Sequence, residues 1–185
     1  MIGTERAHRV LEREHGIEIY WDRPRPHWEG QVAARMTTLA LDVDSLIGEL
    51  DDPASWPFEG LPAGTVMGHV HLKVAAIPET VAFYRDALGF GLMAQLGAQA
   101  AFLGAGGYHH HVGANTWESA GASPPPSDAA ALRHATIVLP DPAERDRVLA
   151  RLEQHGHPPD DSADGPVVRD PAGNALVLDI AITGS

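Results

Sequence analysis

Gly-His-Val-His-Leu-Lys-Val at residues 68–74 is the stretch that decides the fold. Its alternating apolar and polar side chains are typical of a strand with one buried face. The next segment predicts a helix, because Pro78 suits the first turn, an apolar stripe runs along one side, and Gly89 suits the C-terminal cap. Short strand-like runs follow at 91–96 and 100–103, and after the turn at Gly106 residues 108–116 read as a fourth strand. The order of this unit is therefore βαβββ.

The same order recurs in the second half of the chain, as a strand at 132–139, a helix between Asp141 and Gly156, and strands near 167–168 and 175–182. The landmarks keep register, since the two glycines that end the helices lie 67 residues apart, as do the glycines of the two last turns. Such self-similarity is typical of duplicated units. We therefore predict an α+β fold of two paired βαβββ modules whose curved sheets form a cleft.

The repeat divides the chain into four segments. Residues 66–118 form the first module and residues 131–183 form the second. Residues 119–130 are a Pro-rich connector between them. Residues 1–65 do not fit the repeat and form an N-terminal extension.

The composition excludes several classes of function. The formal net charge of −12 at pH 7 argues against a nucleic-acid partner, which needs clustered Lys and Arg. The chain has no Cys, so disulfides and thiolate metal sites are excluded. No apolar run approaches the roughly 20 residues of a membrane span, and residues 1–11 lack the apolar centre of a signal peptide. We therefore expect a soluble, cytoplasmic protein with no membrane partner.

Eleven histidines in an acidic chain are the first unusual feature, because His is the commonest metal ligand. His69 and His134 lie near the start of the first strand of their modules, and His110 lies four residues after Gly106. If the two sheets pair face to face, these three histidines converge on the floor of one cleft. They would then form a three-nitrogen metal site with open positions.

The run of three histidines at 109–111 leaves two registers open. Strand alternation puts His110 on the opposite face from its two neighbours, and we favour His110 as the ligand. A register shifted by one residue would instead turn His109 and His111 towards the cleft. The candidate catalytic residues are His71 and His109, which could handle protons, and Tyr108 in the cleft wall.

Several motifs resemble one known superfamily. Residues 68–74, followed by Ala-Phe-Tyr-Arg-Asp-Ala-Leu-Gly-Phe at 82–90, look like the opening of a vicinal-oxygen-chelate module. Asp-Pro-Ala-Gly-Asn at 170–174 is similar to the turn before the last strand of that superfamily, which contains glyoxalase I, bleomycin resistance proteins and extradiol dioxygenases. Gly-Gly-Tyr-His-His-His at 106–111 and Asn-Thr-Trp at 115–117 resemble catechol 2,3-dioxygenase-like members. The resemblance covers both modules.

The resemblance implies a metal-dependent enzyme, most similar to an extradiol ring-cleaving dioxygenase that acts on a small molecule with adjacent oxygens. Ligands in that superfamily lie on the first and fourth strands, and the matching positions here are His69, His110, His134 and Val177. Extradiol enzymes use two His and one Glu, and Val177 stands where the Glu belongs. Asp179 lies two residues further along the same strand face. The implied cofactor is a divalent metal, with Fe(II) favoured and Mn, Ni and Zn as alternatives.

Two other functions stay open. Val177 favours a metal-poor protein that binds a small molecule, and the shortened front half favours an inactive half that needs a partner. Residues 15–24 are similar to the last strand of an earlier module in longer members, where the Glu matching Glu18 is a ligand. Residues 38–50 look like the connector helix between halves. We expect this remnant to dock on a sheet edge or on a second copy, which predicts a homodimer.

Overall fold

A computed structural model of the chain describes residues 10–12, 17–19, 24–36, 61, 63–126, 128–129 and 131–181. The strands and helices follow in chain order as β1 Val10–Glu12, β2 Ile17–Ile19, α1 Val32–Arg35, β3 Val70–Lys73, α2 Ile77–Ala82, β4 Gly91–Leu96, β5 Ala100–Gly104, β6 Val112–Asn115, β7 Ala135–Leu139, α3 Pro142–Gln154, β8 Val167–Arg169 and β9 Ala175–Ile180. α2 continues into a π-helical segment, Phe83–Ala87, and a 3-10 turn at Arg25–His27 precedes α1. None of the helices described here is long and apolar enough to cross a membrane.

The strands form three sheets. The first module has the order β3-β6-β5-β4, in which β3 and β6 are parallel and the other pairs are antiparallel. The second module has the order β7-β9-β8, in which β7 and β9 are parallel. Each module therefore pairs its first strand with its last strand, as a duplicated unit requires. The predicted α+β fold class is confirmed.

The helices of the two modules end alike, but the strands that follow them differ. Gly89 and Gly156 close their helices with φ of 88° and 78°, a conformation that glycine adopts without strain. In the second module, the strand expected between the helix and β8 is reduced to one isolated bridge between Asp160 and Val167. Residues 158 and 159 are both prolines, and they lack the backbone N–H groups that a longer β-ladder needs. The second module is the less complete of the two.

One apolar core joins the modules. The helices cover one face of both sheets, and side chains of both units share a single cluster that includes Phe83, Leu103, Leu152 and Leu178. Every second residue of β3 and β6 points into this core, so the residues between them face the opposite side of the sheet. That opposite face is the predicted cleft face.

Two polar contacts fasten the modules together at this core. Arg151 of α3 donates from Nε to the carbonyl of Ala87 at 3.0 Å and from Nη2 to the carbonyl of Leu88. These carbonyls end the helical segment of the first module, so a cation from the second module caps it. The Tyr84 hydroxyl donates to Asp170 Oδ2 at 3.1 Å. The Asp170 carboxylate also accepts from the backbone of its own turn, which it holds in shape.

The N-terminal extension contributes two pieces. β1 and β2 pair antiparallel with each other in a separate two-stranded sheet, so β2 finds its partner in the same chain. The second piece, residues 24–36, packs on the cleft face of the first sheet, where Val32 joins a small cluster with Ala94 and Phe102. The connector helix predicted at 38–50 lies outside the described residues.

Candidate metal centre

β3 and the residue before it place two histidine rings on the cleft face. His69 leads into β3, and His71 lies within it, two residues further and on the same face. β3 runs parallel to β6, with His71 opposite Gly113. A methyl group at Gly113 would lie 2.6 Å from Cε1 of the His71 ring. The absence of a side chain at position 113 therefore leaves the space in which the His71 ring lies.

The hairpin between β5 and β6 supplies two more histidines, and here the sequence-based register was wrong. The fourth strand was predicted to begin at residue 108, but β6 begins at Val112, so residues 108–111 are irregular and do not alternate between faces. His109 and His110 are both buried on the site side. His111 instead accepts a hydrogen bond at Nδ1 from the backbone N–H of Ala105, at 3.1 Å, across the hairpin. Neither of the two registers considered from the sequence describes this arrangement.

Three imidazoles converge as a result, and we call His69, His109 and His110 the histidine group. One ring nitrogen from each residue lies within 4.8 Å of the corresponding nitrogens of the other two. The ring centroids of His69 and His110 are 4.2 Å apart, and those of His109 and His110 are 4.6 Å apart. His71 contacts the group through His110, with 3.0 Å between their Nε2 atoms.

Burial keeps His110 uncharged at neutral pH. Desolvation lowers the pKa of His110 to about 2, and the neighbouring charges of His69, His109, His71 and His111 push the pKa in the same direction. Burial, followed by the charge of Arg25, also lowers the pKa of His111. A neutral imidazole carries the free lone pair that a metal requires. His110 is therefore held in the form that binds a metal.

Aromatic rings border the group. Phe102 of β5 lies 5.2 Å from His110 and 6.2 Å from His71, measured between ring centroids. Trp28 stacks on His109 with 4.5 Å between centroids and 30° between planes. Tyr108 contacts His109 at 4.2 Å. The group is thus partly shielded from water, whereas His71 beside it is exposed.

Residues 24–36 also contact the hairpin between β5 and β6 that carries His109 and His110. Arg25 Nη1 donates to the Gly106 carbonyl at 3.2 Å, and its guanidinium lies 5.4 Å from the centroid of the Tyr108 ring. Sequence reasoning did not identify Arg25 or Trp28 as site residues. They lie in a segment outside the repeat, and no local pattern links that segment to the cleft.

The structure places the remaining candidate residues elsewhere. His134 directly precedes β7 and is not a member of the three-residue group found among the described residues. Val177 of β9 is 2% exposed, and Asp179 is exposed, with its Oδ1 accepting from the N–H of Ile180. Glu18 lies in β2, where its backbone pairs with Leu11. The predicted ligand role of His134 is not tested by this arrangement, and the ligand set proposed below leaves His134 out.

The donor set fits a divalent metal. Nδ1 of His110 is buried and has no hydrogen-bond partner among the described residues, while its Nε2 faces His71. Three nitrogens bound to one ion at about 2.1 Å lie at most about 3.6 Å from one another, so any pair of ring nitrogens close to the 4.8 Å limit of this group must approach further when an ion binds. Three imidazole nitrogens suit Fe(II), Mn, Ni or Zn. A set of neutral nitrogen ligands does not favour Ca or Mg, which prefer oxygen ligands.

Comparison with known proteins agrees with the fold. A family model described as the Glyoxalase/Bleomycin resistance protein/Dioxygenase superfamily matches residues 66–178. A Bacillus subtilis (strain 168) protein named catechol-2,3-dioxygenase is 39% identical over 165 residues, which are 88% of this chain and 57% of that protein. The chain therefore spans a little over half the length of this curated relative.

Solved structures show the same architecture. A lactoylglutathione lyase from Agrobacterium tumefaciens superposes with a TM-score of 0.50 at 21% identity, covering 65% of this chain and 96% of that one. A glyoxylase/bleomycin resistance protein/dioxygenase domain from Frankia sp. EAN1pec gives 0.50 at 17% identity, covering 64% of this chain and 98% of that one. At such identities these structures are informative about fold alone.

Proposed function

The chain belongs to the glyoxalase/bleomycin resistance protein/dioxygenase superfamily, and from this premise we propose that it is a divalent-metal enzyme for a small molecule with two adjacent oxygens. The reaction we propose is that of an extradiol ring-cleaving dioxygenase. The observation that carries the proposal is the histidine group, in which His69, His109 and His110 meet in a partly shielded place. Fe(II) is the metal we favour, since the relative at 39% identity is named for catechol cleavage.

The histidine group would hold the metal, which supplies Lewis acidity to two adjacent oxygens when bound. We assign Nδ1 of His110 to the ligand role, because it is the ring nitrogen without a partner among the described residues. The neutral His110 then carries its proton on Nε2 and donates to Nε2 of His71 at 3.0 Å. This hydrogen bond fixes the His110 tautomer and orients the ring, as partners of metal-bound histidines commonly do.

His71 has a second role in the proposal. It is exposed on the cleft face while the histidine group behind it is shielded, so it can exchange protons with solvent. We propose that it takes up, at Nε2, the proton that a catechol hydroxyl releases on binding, which breaks its hydrogen bond with His110, and that it releases the proton of its Nδ1 to solvent. Tyr108 and Phe102 exclude water beside the group, which strengthens electrostatic interactions there.

Catechol turnover tests the proposal. Protein loaded with Fe(II) without oxygen is mixed with catechol and air, and oxygen uptake is measured together with the absorbance of the ring-cleaved product. We expect one oxygen consumed per catechol, loss of turnover in His110→Ala, and unchanged turnover in His155→Ala, which alters an exposed histidine beyond the end of α3. If the Fe-loaded protein consumes no oxygen in the presence of catechol, the proposed dioxygenase reaction is ruled out.

Val177 supports a second candidate, a protein that binds a small molecule without turnover. An apolar, buried side chain stands where extradiol enzymes have a carboxylate, which leaves the proposed site without a negative ligand. The two candidates differ in their dependence on metal. A catalyst loses metal and turnover together in His69→Ala, whereas a simple binding protein keeps its affinity for the small molecule in the same variant.

We also propose that the chain forms a homodimer. Among the described strands, β3 and β7 are each paired on one side only, and large apolar side chains are exposed beside them. These are Val66, Met67, Leu132 and Val138, which are 82%, 76%, 54% and 62% exposed. Free edges flanked by apolar side chains favour association with another copy. Sedimentation of the intact chain tests this, and a concentration-independent monomer mass would contradict it.

A further inference from the structure

Residues 24–36 lie outside the region that the family model matches, yet they form one wall of the histidine group. Val32 is 5% exposed and packs with Ala100 and Phe102, two residues on the cleft face of β5. Trp28 and Met36 are partly buried against the same small cluster. This wall is therefore specific to chains that carry such a segment before the first module.

Trp28 is the residue of this wall that contacts the histidine group. Its ring stacks on His109 at 4.5 Å, and His109 lies 4.6 Å from His110 and 5.8 Å from His69. Phe102, which belongs to the small cluster against which Trp28 packs, lies beside His110 with 5.2 Å between ring centroids. A flat molecule bound at the group would therefore lie among aromatic rings, which favour flat, polarisable ligands.

The indole N–H of Trp28 is buried and has no acceptor among the described residues. A buried donor without an acceptor reduces stability, and such groups in native proteins are normally satisfied by water or by a ligand. A phenylalanine at this position would still present an aromatic ring to His109 and would not bring an unpaired donor. The presence of an indole therefore indicates that an acceptor is supplied when the site is filled.

We propose that Trp28 determines specificity by donating its indole N–H to an oxygen of an aromatic substrate bound at the histidine group. This inference rests on the proposed function, because the substrate oxygen is supplied by a molecule held at the metal site. It assigns the segment before the first module to the substrate site.

Binding of a chromophoric catechol to protein loaded with Zn(II), which does not activate oxygen, tests the inference without turnover. Metal content is measured first by elemental mass spectrometry, and the Kd of 4-nitrocatechol is then measured by absorbance titration. We expect Trp28→Phe to keep its metal and its melting temperature, and to raise the Kd about tenfold, the worth of one hydrogen bond. Trp117→Phe is the matched control, because Trp117 is 57% exposed, and its Kd should equal that of the wild type.

Three results would overturn the inference, and they differ from one another. Equal Kd values for wild type and Trp28→Phe would leave Trp28 as packing alone. Loss of metal in Trp28→Phe would show that Trp28 acts by holding His109 and not as a donor to substrate. Wild-type protein that binds neither Zn(II) nor 4-nitrocatechol would remove the proposed function as well. If Trp28→Phe is unstable, Trp28→Met, whose flexible side chain fills irregular gaps, replaces it with the same expectation.

Discussion

The two modules share a backbone plan but present different side chains on the face away from the helices. In the first module this face carries His69 and His71, with glycine at position 113 to make room. In the second module the corresponding strands present Thr136 and Val138 from β7 and Val177 from β9. The duplication therefore supplies two scaffolds, and the described metal-binding chemistry lies on one of them.

The difference shows that fold and site are separable in this molecule. The second module contributes mainly to stability, through the apolar core and through contacts such as those of Arg151 and Asp170 with the first module. The first module has the glycines and the irregular hairpin that a site needs, and residues 24–36 of the N-terminal extension cover it. Four substitutions test this division, and they are given from the largest expected effect to the smallest.

The largest effect is expected from His110→Ala, which removes the central imidazole of the histidine group. Metal affinity should fall at least about 100-fold, or about 2.7 kcal/mol, as measured by competition with a chromophoric chelator. Val177→Ala, which alters the second module at the position of the family carboxylate, should leave metal affinity unchanged. Comparable losses in the two variants would contradict the assignment of the site to one module.

Arg151→Met should cost about 2 kcal/mol of unfolding free energy, because the carbonyls of Ala87 and Leu88 lose a charged donor while staying partly buried. Urea denaturation measures the change. Arg147→Met on the same helix is the control, since Arg147 pairs with Glu144 in an exposed position and should contribute less than about 0.5 kcal/mol. Equal losses of unfolding free energy in the two variants would show that Arg151 does not link the modules.

Gly113→Ala tests the space that the first module keeps for His71. The added methyl group overlaps the His71 ring, so the ring must move and its contact with His110 is lost. Loss of such an outer partner should lower metal affinity or turnover about tenfold, or about 1.4 kcal/mol. Thr136→Ala, on the exposed face of β7, is the control in the second module. Gly165→Ala is unsuitable, because Gly165 has a φ of 114°, which strains any other residue. A Gly113→Ala protein with wild-type metal affinity and turnover would show that His71 does not orient His110.

Tyr84→Phe should have the smallest effect, about 1 kcal/mol for one buried hydrogen bond. Burial, with the nearby Asp170 carboxylate, raises the pKa of Tyr84 well above its ordinary value. The folded state therefore keeps the Tyr84 proton where the unfolded state releases it, so its contribution is present below about pH 10 and is lost as pH rises further. Urea denaturation at pH 7 and pH 10.5 measures this loss, which should be weaker in Tyr84→Phe. Parallel decline of both proteins would contradict the coupling.

Local signals predicted the scaffold well. The strands at 91–96 and 100–103 and the helix between Asp141 and Gly156 lie where the sequence put them, because alternation, caps and glycine stops act over a few residues. The fold class follows from their repetition. The helix of the first module was predicted as one segment, and its second half is π-helical instead.

The site was predictable only in part. His69 and His110 were identified because they lie near landmarks of the repeat, but His109 was assigned to the other face by strand alternation. That rule fails at 108–111, where the backbone leaves the regular strand before β6 begins. Trp28 could not be found, because its contact with His109 joins residues 81 positions apart and depends on how a non-repeating segment packs.

The most direct test of the central claim is the metal content of protein purified without a His tag or metal column, measured per protomer by elemental mass spectrometry. We predict near one equivalent of a transition metal, Fe first, in the wild type and in His134→Ala, and almost none in His109→Ala. A metal-free wild type that stays so after anaerobic reconstitution would contradict the existence of the site. Loss of metal in His134→Ala with retention in His109→Ala would instead show that the ligands span both modules.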